Sequence, residues 1–179
     1  MPISALYEQI LTPDGDGTCQ WHSTGAQHYT EVDDDPSSPG SGDSVSVGGP
    51  GDQDKIEEFY LSSPPRPNDL EAGFDQVRIW VWAWCKAAGG IQDVRIRARI
   101  KGAWTSYLTR TITGLGPGNG AWYSASFYNF CCQRSDADSL MAGVKAPSAM
   151  SAQDGVHIGC VYVALQASDV LTKRGAQIV

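Results

Sequence analysis

Short signatures of catalysis are missing from the sequence, so its reactive side chains must be weighed group by group. There is no G-x-S-x-G nucleophile elbow, no H-E-x-x-H zinc motif and no Gly-Lys dipeptide of a phosphate-binding loop. The three histidines are His22, His28 and His157, and the first two are not spaced for one turn of a helix. We expect no catalytic residue and no enzyme, with a triad assembled from distant residues as the open alternative.

Two acidic segments have the residue types that bind divalent cations. Residues 14–18 (DGDGT) begin like a calcium loop, but Gly25 stands where the bidentate glutamate belongs, so we predict a tight turn. The run of Asp33, Asp34 and Asp35 is the stronger cluster, and we interpret it as a solvated loop. A divalent-ion site, or an anchor for the arginines of a later strand, is the alternative. We expect no metal and no cofactor, and these three aspartates are the weak metal candidates.

The five cysteines do not form any C-x-x-C pair, which excludes the common zinc and redox motifs. We interpret them as thiols of a protein made in a reducing cytoplasm. Cys85 and Cys160 both lie in apolar segments, so a disulfide formed later outside the cell stays open. No targeting segment is recognisable, because Glu8 interrupts the first apolar stretch. The most apolar run, residues 77–85, is too short to span a bilayer, and we expect no membrane partner.

The elements that position these residues are predicted by strict alternation. Residues 93–101 place Val94, Ile96, Ala98 and Ile100 on one face, with basic residues on the other. Residues 76–84 alternate in the same way and are followed by the flexible turn 87–90, so we predict that the two segments form an antiparallel hairpin. Trp82 would then lie opposite Arg95, and Trp80 opposite Arg97, as cation–π pairs.

The outer face of this hairpin is the predicted functional surface. It would carry three tryptophans and three arginines, the residue types enriched at protein interface hot spots. We predict an interface formed by Trp80, Trp82, Trp84, Arg95, Arg97 and Arg99. The alternative is an outer sheet surface covered by Trp–Arg stacking alone. A polyanion site is disfavoured because the net charge is −7, and we expect no nucleic-acid partner.

Many short strand segments separated by turn clusters, such as residues 13–17, predict an all-β protein. Besides the two alternating segments, the predicted strands are residues 3–12, 27–32, 43–47, 55–62, 106–113, 122–130 and 155–165. We expect an antiparallel, jelly-roll-like β-sandwich of about 8–10 strands. Residues 155–165 are apolar on both faces and should form a central strand. Ser135 and Asp138 have capping-box spacing, so one short helix is expected at 135–144. We assign one domain to residues 1–167, with an N-terminal strand or arm in 1–20 and a C-terminal tail or arm in 168–179.

Charge is divided unevenly along the chain. Residues 1–75 contain fifteen acidic and two basic residues, whereas the remainder contains five acidic and eleven basic residues. We interpret this as acidic loops packed against a basic sheet face of the same chain. The alternative is pairing between the acidic part of one copy and the basic part of the next, which would favour correct register.

An ordered set of segments resembles a known group of proteins. The segments, spread over residues 20–167, are Trp21, YTEVDDD (29–35), DSVSV (43–47), FDQVRI (74–79), the basic strand, Trp122-Tyr123, SLMAGV (139–144) and VYVAL (161–165). This order resembles the jelly-roll-like β-sandwich virion proteins of tailed bacteriophages.

The resemblance implies a non-enzymatic structural protein located in the virion and made in the bacterial host cytoplasm. Its first expectation is a capsid decoration or cement protein that binds the major capsid protein and copies of itself as a homotrimer. The second is a tail-tip, neck or fibre-base subunit with tail proteins as partners. A third reading from a different class is a carbohydrate-binding jelly-roll module, because exposed tryptophans and acid-lined loops suit sugar binding.

Overall fold

The computed structural model describes all elements that position the candidate residues. The described residues are 8–23, 25–37, 39, 43–65, 70, 73–86, 91–114, 116, 119–151 and 154–167. They form eleven strands, and their helical segments are 3-10 turns of three to six residues. None of the helical segments in this part of the chain has the length and apolar character needed to cross a membrane.

The strands form two antiparallel sheets. The first sheet contains β1 (Glu8–Leu11), β3 (Val45–Gly48), β5 (Phe74–Cys85), β9 (Ala121–Phe127) and β11 (Gly155–Ala167). The second sheet contains β2 (Pro13–Cys19), β4 (Ile56–Leu61), β6 (Gln92–Ile100), β7 (Ala103–Trp104), β8 (Leu108–Ile112) and β10 (Met141–Lys145).

The strand order is that of a jelly roll. In the first sheet the order is β3-β11-β5-β9, and in the second it is β4-β10-β6-β8. The chain therefore passes repeatedly from one sheet to the other, as it does in double-sheet jelly rolls. The predicted all-β, jelly-roll-like β-sandwich is confirmed.

Alternating apolar side chains fill the space between the sheets. On β5 the inward residues are Val77, Ile79, Val81 and Ala83, each at most 1% exposed. On β6 the inward residues are those the alternation predicted, Val94, Ile96, Ala98 and Ile100. β11 lies between β5 on one side and β1 and β3 on the other, so its predicted central position is confirmed. Removing this apolar surface from water stabilises the fold by about 25 cal/mol per Å².

The predicted hairpin of β5 with β6 is wrong. β5 pairs with β9 and β11 in the first sheet, whereas β6 pairs with β8 and β10 in the second. Alternation determines which face of a strand is buried, but it does not determine which of two facing sheets contains the strand. Placing the two strands in opposite sheets buries their apolar faces on either side of the same core.

The predicted short helix at 135–144 is confirmed only in its first half, as a 3-10 turn, whereas the second half is a strand. A 3-10 turn, Arg134–Ser139, precedes strand β10, and its capping box is made by Gln133 and Asp136. Ala142 and Val144 point into the core with a period of two, while β10 pairs with β4 on one side and β6 on the other. Hydrogen bonds to strands on both sides pair more of the backbone N–H and C=O groups of this segment than one short helix would.

Two shorter segments differ from their predicted conformations as well. Residues 13–17, predicted as a turn, lie within β2, and the predicted strand 27–32 contains the 3-10 turn Tyr29–Glu31. β1 falls within the predicted N-terminal strand. The predicted C-terminal arm, residues 168–179, lies outside the described residues, and the division of the chain into one domain and two arms stays a prediction.

Candidate functional site

Four aromatic rings form a continuous surface on the outer face of the first sheet. We call Trp80, Trp82, Trp122 and Tyr162 the aromatic platform. Trp80 and Trp82 come from β5, Trp122 from β9 and Tyr162 from β11, so the rings extend across three neighbouring strands. They point outward because alternating residues on β5 point into the core. Each ring is half-buried, which leaves part of every ring open to solvent.

The rings contact one another in sequence across the sheet. Trp82 and Trp122 meet edge to face with centroids 5.5 Å apart, and Trp122 meets Tyr162 in the same way at 5.2 Å. Trp80 lies nearly parallel to Tyr162, with centroids 6.0 Å apart. These arrangements are the favourable ones for aromatic pairs, so each ring holds its neighbours in place. The platform is therefore a rigid aromatic surface.

The third predicted tryptophan on β5 does not belong to the platform. Trp84 is buried and stacks on His157 with centroids 5.3 Å apart and ring planes 3° from parallel. His157 Nδ1 also lies 3.3 Å from the Ser44 hydroxyl oxygen. Burial, assisted by the charge of Lys86, lowers the pKa of His157. The ring is thus a neutral packing partner for Trp84.

A polar cleft adjoins the platform on the same outer face. Its lining residues are Glu8, Gln76, Arg78, Ala164 and Gln166. Arg78 connects the two regions, because its guanidinium carbon lies 5.8 Å from the Trp80 ring centroid while its Nε donates to the Ser126 hydroxyl at 2.9 Å. The cleft offers amide and guanidinium donors together with amide and carboxylate acceptors. An aromatic surface beside a few converging polar groups is typical of small-molecule sites.

The predicted arginines lie on the outer face of the other sheet, so the structure does not bring them together with the tryptophans of β5. Arg97 binds Glu58 at 2.6 Å, and its guanidinium carbon lies 4.1 Å from the Trp104 ring centroid and 4.7 Å from that of Tyr107. The predicted Trp80–Arg97 and Trp82–Arg95 pairs are wrong because β5 and β6 belong to different sheets. The proposed single interface of these six residues is therefore two separate surfaces.

Ion pairs within the chain account for part of the uneven charge distribution. Arg95 and Lys145 both bind Asp54, at 2.6 and 3.0 Å, and Arg97 binds Glu58. All three pairs join the acidic first part of the chain to the basic second part. This agrees with acidic segments packing against a basic sheet face of the same chain.

The aspartates at 33–35 do not form a metal cluster in the described part of the chain. The Asp33 and Asp35 side chains are exposed, and the Asp35 carboxylate accepts a hydrogen bond from the Ser37 amide. The Asp34 backbone carbonyl accepts the Cys160 thiol at 3.3 Å. Arg95 and Arg97 bind Asp54 and Glu58 instead, so the alternative of an arginine anchor at 33–35 is wrong for both residues.

A second group of reactive side chains lies where β2 pairs with β4. Cys19, His28 and Glu57 each place a ligand atom within 4.8 Å of the other two. His28 Nδ1 lies 2.7 Å from Glu57 Oε1. Partial desolvation of the thiol, together with the carboxylates of Glu57 and Asp16, raises the pKa of Cys19 to about 12.

The cysteines are unpaired among the described residues. Cys85 and Cys160 lie on neighbouring strands, but Cys85 is paired with Val156 and Cys160 with Trp82. The register therefore places the two thiols on opposite faces of the first sheet, which excludes a disulfide between them.

Two members of the platform were not among the predicted site residues. Trp122 and Tyr162 belong to segments that the sequence identified as strands, but only the pairing of β5 with β9 and β11 brings them beside Trp80 and Trp82. The one available signal was an aromatic residue at the outward position of each strand. The Cys19, His28 and Glu57 group left no local signal, because its residues are spread over three elements.

Comparisons with known proteins returned structural likenesses only. No family model and no curated protein matches the sequence. The CBM36-1 domain of a multidomain xylanase from the hindgut metagenome of Trinervitermes trinervoides is 11% identical, with 90% of this chain and 98% of that chain covered and a TM-score of 0.47. A CBM35 from Cellvibrio japonicus is 9% identical, with 90% and 98% covered and a TM-score of 0.45.

A CBM22-1 xylan-binding domain from Paenibacillus barcinonensis is 14% identical, with 88% of this chain and 94% of that chain covered and a TM-score of 0.42. Likeness at this level assigns neither a family nor a ligand to this chain.

Proposed function

We propose that this chain is a non-catalytic carbohydrate-binding module that binds sugar rings on the aromatic platform. The observation that carries the proposal is the contiguous set of partly exposed rings of Trp80, Trp82, Trp122 and Tyr162 beside a polar cleft.

The chemistry of a sugar ring matches both parts of this surface. One face of a pyranose exposes C–H groups, which are attracted to the electron-rich faces of aromatic rings. The hydroxyl groups at its rim both donate and accept hydrogen bonds, and Gln76, Arg78 and Gln166 offer both kinds of partner. Among the described residues the four platform side chains are partly exposed, so a polysaccharide chain can contact them without entering an enclosed cavity.

The proposal is tested by a glycan array, followed by calorimetry with the best ligand. Trp80→Ala and Trp82→Ala should each weaken binding about tenfold or more, since a lost stacking contact costs roughly 1.5 kcal/mol. Tyr60→Ala is the matched control, because Tyr60 is 48% exposed on the outer face of the other sheet. The affinity of the Tyr60→Ala variant for the ligand should equal that of the wild type. Circular dichroism of each variant checks that the sheets remain folded.

The proposal would be contradicted if Trp80→Ala and Trp82→Ala both bound the ligand as tightly as the wild type does. Arrays without any signal would also contradict it. Capsid decoration, with the major capsid protein and a homotrimer as partners, stays a prediction from the sequence resemblance. Blank arrays combined with trimers that bind purified capsids in mass photometry would favour that function over sugar binding. Binding to tail proteins instead would favour the tail-subunit alternative.

A further inference from the structure

The edge of the second sheet brings a thiol, an imidazole and a carboxylate together. Cys19 on β2 is directly paired with Glu57 on β4, and His28 reaches the same place from the segment that precedes the 3-10 turn Tyr29–Glu31. One ligand atom of each side chain lies within 4.8 Å of the other two. These residues are remote in sequence from the aromatic platform and belong to the other sheet, so the inference does not depend on sugar binding.

Glu57 is fixed in position before any ligand arrives. Its side chain is fully buried, with 0% exposure. Oε2 accepts hydrogen bonds from the backbone amides of Gln20 and Trp21, both at 3.0 Å, and Oε1 lies 2.7 Å from His28 Nδ1. Hydrogen bonds of this kind orient a ligand carboxylate and raise the affinity of a metal site.

Asp16 holds the imidazole over the strand pair. Its carboxylate oxygens accept hydrogen bonds from the backbone amides of His28, at 3.1 Å, and Tyr29, at 2.7 Å. These two bonds attach the 3-10 turn to β2. Because Asp16 acts through the backbone of the His28 segment, it is a positioning residue rather than a ligand.

The donor set determines which ions would fit. Calcium and magnesium prefer sites made of oxygen atoms, whereas a site with sulfur, nitrogen and oxygen donors suits zinc. Ligand atoms around tetrahedral zinc lie roughly 3.3–3.8 Å apart. Binding an ion therefore requires the 2.7 Å hydrogen bond between His28 Nδ1 and Glu57 Oε1 to open slightly, which a small side-chain rotation supplies. In the described part of the chain, no lysine or arginine forms an ion pair with Glu57, and the side chain that contacts its carboxylate is the other proposed ligand, His28.

We propose that Cys19, His28 and Glu57 bind one Zn²⁺ ion, with solvent in the fourth position. Cys19 is exposed, so the ion reaches the site directly from water. Binding takes the thiolate of Cys19, and the thiol proton passes to solvent. The ion joins β2, β4 and the segment that carries His28, and it stabilises the fold because the unfolded chain does not hold these ligands together.

Cobalt is the probe for this site, because a Co²⁺–thiolate bond gives a charge-transfer absorption band. The reduced wild-type protein should bind one Co²⁺ per chain with this band, and Zn²⁺ should displace the cobalt. Cys19→Ser should abolish the band, and both Cys19→Ser and His28→Gln should weaken Zn²⁺ binding by about 100-fold or more, measured against a chromophoric chelator. Glu57 is not substituted, because its side chain is fully buried and a variant that failed to fold would give no information about metal binding.

Cys131→Ser is the matched control, since Cys131 is an exposed thiol outside the group. It should keep the cobalt band and the affinity of the wild type. Added Zn²⁺ should raise the thermal midpoint of the wild type and of Cys131→Ser but not that of Cys19→Ser. No cobalt binding by the wild type, cobalt binding without the thiolate band, or a band lost from Cys131→Ser instead would each overturn the proposal.

Discussion

The Arg97 side chain illustrates how individual residues on the second sheet are held. Its guanidinium carbon lies 4.1 Å from the Trp104 ring centroid and 4.7 Å from that of Tyr107. The guanidinium also binds Glu58 at 2.6 Å, and the Arg97 and Glu58 side chains are 17% and 9% exposed. The Arg97 Nε and the Tyr107 hydroxyl are buried without a hydrogen-bond partner in the described structure. A pair with incomplete hydrogen bonding stabilises little by itself, but losing one partner is costly.

Truncation of one partner should therefore be more harmful than replacement of both. Glu58→Ala should lower the free energy of unfolding by about 2 kcal/mol, because it leaves the arginine charge largely desolvated. The double variant Arg97→Met, Glu58→Leu should lie within about 1 kcal/mol of the wild type. Urea unfolding at pH 7 measures both. Asp54→Asn is the control, since Asp54 is 50% exposed and asparagine tolerates the left-handed φ of +60° at this position, so loss of the charge should change stability little. A double variant less stable than Glu58→Ala would contradict this account.

At the scale of elements, backbone conformation fixes the start of β5. Gly73 has φ of +82°, and Phe74 exchanges two backbone hydrogen bonds with Cys132, at 3.0 and 3.1 Å. A Cβ atom on Gly73 would overlap the Cys132 carbonyl oxygen. The turn between β6 and β7 offers a comparison, because Gly102 has a similar φ of +77° but open space around its Cα.

These two glycines separate conformational strain from steric overlap. Gly102→Ala should cost about 1 kcal/mol, the usual cost of a left-handed conformation with a side chain. Gly73→Ala should cost about 3 kcal/mol, because it also separates β5 from residue 132. Thermal unfolding of the two single variants measures the difference. Equal losses would show that the contact with Cys132 is unimportant.

Local patterns predicted the elements better than their partners. Strand patterns bounded by turn clusters identified β1, β3, β4, β5, β6, β8, β9 and β11. Alternation also identified the inward residues of β6, because a strand buried on one face has a hydrophobic period of two. It could not predict the pairing of β5 and β6, because the choice between two sheets depends on contacts remote in sequence. The aromatic platform was half predicted for the same reason: Trp80 and Trp82 share a strand, whereas Trp122 and Tyr162 join them only through pairing.

At the scale of the whole molecule, buried and paired ionisable groups set the response to pH. Burial lowers the pKa of His157 below the 6.5 of an ordinary histidine. For Asp52, hydrogen bonds from Lys55, Gly48 and His22 together outweigh the opposing effect of burial and lower its pKa. Hydrogen bonds from Arg95 and Lys145 lower that of Asp54. Burial raises the pKa of Glu57, so this residue changes the stability in the opposite direction to the other three when the pH changes.

The signs of these shifts give a specific stability profile. Since the unfolded chain binds a proton at His157 more readily than the folded chain, the stability from this residue is present above pH 6.5 and lost as the pH falls through and below that value. The aspartates add a second loss as the pH falls below 3.8. Glu57 contributes stability below its ordinary pKa of 4.5, which is lost as the pH rises through its higher folded value.

Between pH 8 and pH 5 the wild type should therefore lose more stability than His157→Gln in chemical unfolding, because only the wild type loses the contribution of His157, while the opposing change at Glu57 is present in both proteins. The variant keeps a polar side chain beside Ser44 but does not titrate. An equal decrease in wild type and variant would assign the pH response to other groups.

The pairing of β1 with β11 has a mechanical consequence. Glu8 lies opposite Gln166, so the chain leaves β1 toward its N-terminus and leaves β11 toward its C-terminus at the same end of this strand pair. Tension applied through these two flanking segments would act at one end of the strand pair and perpendicular to the strands. The hydrogen bonds between β1 and β11 would then break one after another rather than all together. The first sheet would open from its β1 edge at low force, while the pairs of β11 with β5 remained closed.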